Sequence, residues 1–265
     1  MSKKVAIVTG GTSGIGRATA LALQERGYTV YELSRRAEGM PDIRHIVADI
    51  TKEETLQAAV EQVLAVEGRL DLVVNNAGFG ISGAIEFTDT QEAQRLFDTL
   101  FFGMVRMNRC VIPLMRQQGH GRIVNISSVA APVPIPFQAY YSSGKAAINA
   151  YTMALANELR PFGVTVCAVM PGDIKTGFTA ARHKIIDGDD IYQGRIGRSV
   201  QRMEHDEQTG MDPAKVGRYI AAVASREGSH HPLYATRIDY KFFVFLTKVL
   251  PARFLNWLIY QLYGK

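Results

Sequence analysis

The chain has 265 residues, 47% of them apolar, and a formal net charge of +5. That length and composition allow one large α/β domain or two small ones with a substantial core, and the absence of repeats, low-complexity tracts and a Ser/Pro-rich linker favours one. Two cysteines, Cys110 and Cys167, lie in apolar segments without metal-ligand spacing, which excludes a disulfide scaffold or zinc module and predicts a reduced, cytoplasmic protein.

Lys4 to Thr9 is a short β-branched run closed by glycines, the pattern of a buried strand, and no stretch that reads as a signal peptide precedes it. It enters Gly10-Gly11-Thr12-Ser13-Gly14-Ile15-Gly16 and then a helical pattern from Arg17 to Arg26. Strand, glycine turn and helix N-terminus in that order predict an anion site, because glycine admits the backbone to a phosphate and free amides favour negative charge. The spacing is Gly-x-x-x-Gly-x-Gly rather than Gly-x-Gly-x-x-Gly, and a tight connection is the alternative.

Tyr28 to Leu33 is the second strand, followed by Ser34-Arg35-Arg36. A carboxylate here would bond the adenosine ribose and select NAD, whereas arginine accommodates a 2′-phosphate. The segment therefore predicts NADP(H), with Arg35 as the leading phosphate ligand. A solvated loop is the other reading, and Glu32 within the strand has no assigned role. Arg44 to Val47 is a third strand ending in Asp49-Ile50, and Lys52 to Val66 alternates like a helix with Thr51 as its N-cap.

Leu70 to Val74 is a fourth strand ending in Asn75-Asn76-Ala77-Gly78, the small and amide residues that a crevice at strand ends requires, with a plain turn as the alternative. Gln91 to Gln117 reads as one long helix, and Arg122 to Ser127 as a strand with Ser128 just beyond it. A proline-rich return leads to a helix carrying Tyr141 and Lys145, and Val164 to Val169 closes in Pro171-Gly172-Asp173-Ile174-Lys175-Thr176. The alternation predicts a single-domain, Rossmann-type doubly wound parallel sheet with helices on both faces.

Tyr141 and Lys145 stand about one helical turn apart and share a face. A phenol with a pKa of about 10 is a poor acid or base at neutral pH, and a neighbouring ammonium lowers it. The pair is thus a candidate proton donor and acceptor.

With these motifs in order, residues 4–176 resemble the short-chain dehydrogenase/reductase family. Thr9-Gly10-x-x-x-Gly14-x-Gly16 matches its cofactor turn, Asp49 its adenine contact, Asn75-Asn76-Ala77-Gly78 its strand-supporting motif, and Pro171-Gly172 with Thr176 its nicotinamide-side loop. Ser128 lies thirteen residues before Tyr141, the family spacing of catalytic Ser and Tyr. The resemblance implies that Tyr141 exchanges a proton with the substrate oxygen, Ser128 holds that oxygen, and Lys145 lowers the Tyr pKa and binds the nicotinamide ribose. It implies cofactor contacts from Gly10, Thr12, Ser13, Gly14, Ile15, Gly16, Ser34, Arg35, Arg36, Asp49, Ile50, Asn76, Ala77, Gly78, Tyr141, Lys145, Pro171, Gly172, Ile174 and Thr176. Tyr140 is a decoy, since Gly144 stands four residues on.

Two positions depart from the family pattern. Leu100 stands where relatives carry an Asn that holds a water relay to the Lys, and leucine cannot bind water. Gly144 replaces the usual Ser before the Lys, at a helical cost of roughly 1 kcal/mol relative to alanine. An active but slowed enzyme is the expectation.

Residues 177–211 read as a polar, irregular substrate lid, with Phe178, Ile185, Ile186, Tyr192 and Met203 as apolar points and a mobile surface loop as the alternative. Val129, Val133, Ile135, Pro136 and Phe137 would line the opposite wall, favouring a bulky apolar alcohol or ketone. Asp212-Pro213 opens a helix to about Ser225, and Leu233 to Asp239 reads as an edge strand. Residues 241–265 carry four positive charges (Lys241, Lys248, Arg253, Lys265), no acidic ones, and an apolar series from Phe242 to Leu262 broken at Pro251. That series is too interrupted to span a membrane; a basic surface anchor is one reading, and packing on the body or a second subunit is the other. Such tails resemble those of hydroxysteroid and retinol dehydrogenases.

No basic stripe with stacking aromatics lies outside this tail, so nucleic acid is not an expected partner. The combined expectation is an NADP(H)-dependent oxidoreductase interconverting a secondary alcohol and a ketone on a lipophilic, steroid-like substrate, as a homodimer or homotetramer. A general carbonyl reductase and a catalytically weak NADP-binding sensor or scaffold are the alternatives.

Overall fold

The computed structural model describes residues 3–226 and 231–265. β1 (Val5–Thr9) leads through α1 (Gly14–Glu25) to β2 (Thr29–Ser34) and β3 (Arg44–Val47), which step outward along one edge of the sheet. α2 (Glu53–Glu67) brings the chain back past β1 to β4 (Leu72–Asn75) on its other side. Short β5 (Ile81–Ser82), α3 (Thr90–Phe97) and α4 (Gly103–Gln118) precede β6 (Gly121–Ile126), and α5 (Ala139–Leu159) precedes β7 (Val164–Met170). α6 (Phe178–Ala181), β8 (His183–Lys184), α7 (Arg195–Gln208) and α8 (Pro213–Ala224) lead to edge strand β9 (Leu233–Ala235), followed by α9 (Ile238–Val249) and α10 (Ala252–Ile259).

The large sheet has seven parallel strands in the order β3-β2-β1-β4-β6-β7-β9. Strand alternation divides the core between its two faces. Val5 and Ile7 pack with Val63, Met107, Val111 and Leu155 from α2, α4 and α5, whereas Ala6 and Val8 pack with Leu23 of α1 and Ile220 of α8. The order reverses between β1 and β4, and a crevice opens there outside the carboxyl ends of the strands.

Four expectations change in detail. The long helix from Gln91 is interrupted by a π turn over Asp98–Phe102 with Leu100 at its centre. Lys52, not Thr51, occupies the N-cap of α2, because the Thr51 hydroxyl donates instead to Asp49 Oδ1 at 2.8 Å. The lid is not irregular throughout, since Ile196, Val200 and Met203 are buried on one face of α7. Glu32 is fully buried, paired with His45 across β2 and β3, and its carboxyl is pushed up by burial.

Candidate active site

The glycine turn begins where Gly10 donates its amide to Leu33 O at 2.7 Å and adopts φ +65°. Ser13 occupies the N-cap of α1 without a side-chain capping bond. The first-turn amides of α1 have no intrahelical partner, which is the arrangement that suits an anion. Gly16 does something else. A Cβ there would lie 2.3 Å from Gly10 O and 2.4 Å from Asn76 Nδ2, so this glycine lets α1 close against the turn and does not line the cleft. The Asn76 side chain donates to Thr9 O at 3.0 Å, while Thr9 Oγ1 accepts from the amides of Asn76 and Ala77, joining the ends of β1 and β4. Asn75 donates to Asn108 and Asn125, at 2.7 and 2.9 Å, and supports the same strand end from beneath.

The remaining predicted cofactor residues line one cleft of about 1180 Å³. At one end lie Ser34, Arg35, Arg36, Asp49 and Ile50; then come Gly10, Thr12 to Ile15 and Asn76 to Gly78; at the other are Ser128, Tyr141, Lys145 and the loop from Pro171 to Thr176. His45 Nε2 bonds the Arg36 carbonyl at 2.9 Å and so anchors the arginine loop from below. Arg35 and Arg36 are exposed and have no ion-pair partner among the described residues. Burial alone would raise the Asp49 carboxyl, but two hydrogen bonds from Thr51 hold it below the usual range. A cleft of this size, with unsatisfied helix amides at its middle and two uncommitted guanidinium groups at one end, fits a nicotinamide dinucleotide.

At the reacting end α5 presents Tyr141 and Lys145 one turn apart. Lys145 Nζ donates to Ile126 O at 2.7 Å and lies 5.6 Å from the centre of the Tyr141 ring. The Ser127 hydroxyl ties the Lys145 carbonyl to the end of β6 at 3.0 Å, and Ser128 Oγ accepts from Ala130 N at 3.1 Å. Burial pushes the Tyr141 phenol up to about 12, a hydrogen bond from Ser128 pulling the other way, and burial alone takes Lys145 down to about 7. Desolvation is the largest influence on the phenol, and it raises it. Tyr140 points its hydroxyl elsewhere, toward Ile85 O at 3.5 Å.

The substrate side differs from its expectation. Val129 and Ile135 line the cleft, but Val133, Pro136 and Phe137 do not; Phe137 packs edge-on against Tyr192 instead. Of the lid points, Phe178 and Met203 line it, with the Phe178 ring 5.7 Å from that of Tyr141. Ile185 is buried beside Leu100, and Ile186 is exposed. Residues not singled out in the sequence complete the wall: Phe79, Glu207 of α7 and Tyr263 from the chain end. Glu207 pairs with the wholly buried Arg182 side chain and accepts from Thr179 Oγ1 at 2.6 Å. The recurrence Ile196, Val200, Met203, Glu207 is the helical signal that could have placed Glu207, whereas nothing local marks Tyr263.

A family model described as short chain dehydrogenase matches residues 4–185. The chain belongs to that family. A 3-ketodihydrosphingosine reductase of Bacteroides thetaiotaomicron is 37% identical over 261 residues, covering 97% of this chain and 94% of the relative. Among solved structures, a short-chain dehydrogenase from Streptomyces avermitilis has a TM-score of 0.82 at 34% identity, covering 92% of each chain. The 3-ketoacyl-(acyl-carrier-protein) reductase of Brucella melitensis, complexed with NADH, has a TM-score of 0.74 at 27% identity, covering 88% of this chain and 96% of that one. The short-chain dehydrogenase fold thus accounts for the sheet, the glycine turn and the placing of the cleft.

Proposed function

We propose that this short-chain dehydrogenase is an NADPH-dependent reductase that converts a ketone on a lipophilic, long-chain substrate into a secondary alcohol. The observation that carries the reading is the meeting of Ser128, Tyr141 and Lys145 with an apolar wall of Phe79, Leu100, Val129, Ile135, Phe178 and Met203 in one cleft. Likeness to the 3-ketodihydrosphingosine reductase supports a long-chain ketone of that type within the lipophilic class, ahead of a rigid steroid.

A bound nicotinamide supplies the hydride. The residues of this chain manage the proton. A phenol held near 12 stays protonated at neutral pH, so Tyr141 is set as a donor, which is the role that carbonyl reduction requires. The Ser128 hydroxyl is placed to hold the carbonyl oxygen as negative charge develops on it. Lys145, close to half-protonated near neutral pH, can return a proton toward Tyr141 after transfer. Ser34, Arg35 and Arg36 would hold the adenosine end, and two exposed guanidinium groups without an ion-pair partner among the described residues favour the 2′-phosphate of NADPH. Self-association through the outer faces of α4 and α5 belongs to the same reading, in keeping with exposed Phe102, just before α4, and Met153 on α5.

The test follows NADPH absorbance with 3-ketodihydrosphingosine in detergent micelles, comparing the native chain with Tyr141→Phe. Turnover that falls by roughly a hundredfold or more in the variant is expected. Equal turnover in the two proteins, or none in either, overturns the reading. Leu100 favours one rival, a weakly catalytic NADP-binding protein, which predicts cofactor binding with no turnover on any ketone.

A further inference from the structure

The C-terminal helices present an apolar face that no described part of this chain covers. On α9, Ile238, Phe242, Phe245 and Val249 recur at i, i+4, i+7 and i+11 and so line one face. Such a stripe ordinarily turns inward. Here all four residues are more than half exposed, from Phe245 at 54% to Ile238 at 82%. The inward face is supplied separately by Tyr240 and Val244, which pack with Met170 and Ala235. On α10, Phe254 and Trp257 are exposed as well, each by about half, with their rings stacked at 5.8 Å.

Charge accompanies this face. Lys241 and Lys248 are two turns apart on the same flank of the stripe, and Arg253 lies in the first turn of α10. None of the three has an ion-pair partner among the described residues, and the one acid of α9, Asp239, is held by Arg237. We propose that α9 and α10 dock on an anionic lipid bilayer and lie in the plane of its headgroups. No helix among the described residues is long and apolar enough to cross a membrane. An aromatic stripe flanked by lysines that can reach lipid phosphates is what an interfacial helix needs. A second copy of this chain fits less well, because an isologous contact would set two copies of the same face together, each bringing Lys241, Lys248 and Arg253, while the one acid of α9 is already held by Arg237.

The same segment is fastened to the walls of the cleft. Tyr240 OH donates to Asp173 Oδ2 at 3.0 Å, and Tyr263 lines the cleft while donating to Asp206 Oδ2 at 3.0 Å. A helix is about 10–12 Å across, so docking brings that wall within about one helix diameter of the lipid headgroups. The inference stands on the tail alone and does not depend on the proposed reaction.

Trp257 is the single tryptophan, so its emission reports on this face. The full chain is mixed with vesicles of phosphatidylcholine, or of phosphatidylcholine and phosphatidylglycerol in equal parts, and then sedimented. A blue shift of Trp257 and co-sedimentation are expected with the anionic vesicles, both weakened by high salt. Lys241→Glu with Lys248→Glu should reduce that binding roughly tenfold or more, and Phe242→Ser with Phe245→Ser should abolish it. All four side chains are exposed, so unchanged circular dichroism will show that the variants are folded. Unmoved emission with all protein in the supernatant overturns the proposal, as does equal binding to both kinds of vesicle. A dimer in solution that Phe242→Ser with Phe245→Ser dissociates, without vesicle binding, would assign the face to a second copy.

Discussion

Leu100 fills the space that a side chain on Gly78 would need: its Cδ2 lies 2.4 Å from the point where a Cβ on Gly78 would stand. Leu100 is itself only 2% exposed and packed with Ile81, Leu96 and Ile185, so displacing it disturbs those contacts. Gly78→Ala should therefore destabilise the fold by about 1–3 kcal/mol as an overpacked site. In a Leu100→Ala background most of that cost should vanish. Urea unfolding of the four proteins of the cycle checks this, and additive losses would show that the two positions do not compete for the same space.

Gly144 meets the same leucine on different terms. A Cβ there would sit 3.5 Å from Leu100 Cδ1, an ordinary contact, in the interior of α5. Gly144→Ala should raise stability by up to about 1 kcal/mol, the helical advantage of alanine over glycine. A lowered midpoint of unfolding would mean that the packing around Leu100 cannot accept even this methyl group.

The parallel sheet made the cleft legible from the sequence, because the glycine turn, Asn76, Ser128 and Pro171 each follow a strand and the fold gathers strand ends at one edge. What local pattern could not separate was the purpose of individual glycines. Gly14 lines the cleft and Gly16 closes a helix on a turn, yet the two stand in the same motif. Substrate contacts were the least legible. Val133 and Phe137 are apolar and stand between Ser128 and Tyr141 in sequence, but neither lines the cleft, whereas Tyr263 reaches it from the far end of the chain.

Leu100→Asn tests whether the missing amide limits the chemistry. An Asn placed among Ile81, Leu96 and Ile185 should cost about 1–3 kcal/mol of stability unless water or a neighbour satisfies it. If the relay to Lys145 is impaired in the native chain, turnover of the folded variant should nevertheless rise. An unchanged kcat in a variant shown to be folded would mean that the native chain moves its proton without that relay.

Arg35→Ala should weaken NADPH binding roughly tenfold to a hundredfold, the worth of a charge-assisted hydrogen bond to the 2′-phosphate, while leaving NADH nearly unchanged. Glu32 offers no competing ribose contact, since it is turned into the sheet beside His45. Titration of cofactor fluorescence with each dinucleotide decides the matter. Equal losses for NADPH and NADH would remove Arg35 from the phosphate site.

Lys145 links the site to stability. Burial takes its pKa from the usual 10.5 down to about 7, so between those values the unfolded chain holds the proton more fully than the folded one. Stability contributed by the neutral amine is complete above pH 10.5 and is lost as the pH falls toward about 7, below which both states are protonated. The native chain should therefore gain stability relative to Lys145→Met as the pH is raised through this window, by at most about 1.4 kcal/mol per pH unit. The comparison cancels the other groups that titrate there, because they are common to both proteins. Urea midpoints at about pH 7 and about pH 9.5 measure the difference. Parallel shifts in the two proteins would show that Lys145 stays charged in the folded state and that burial does not take its pKa down toward neutrality.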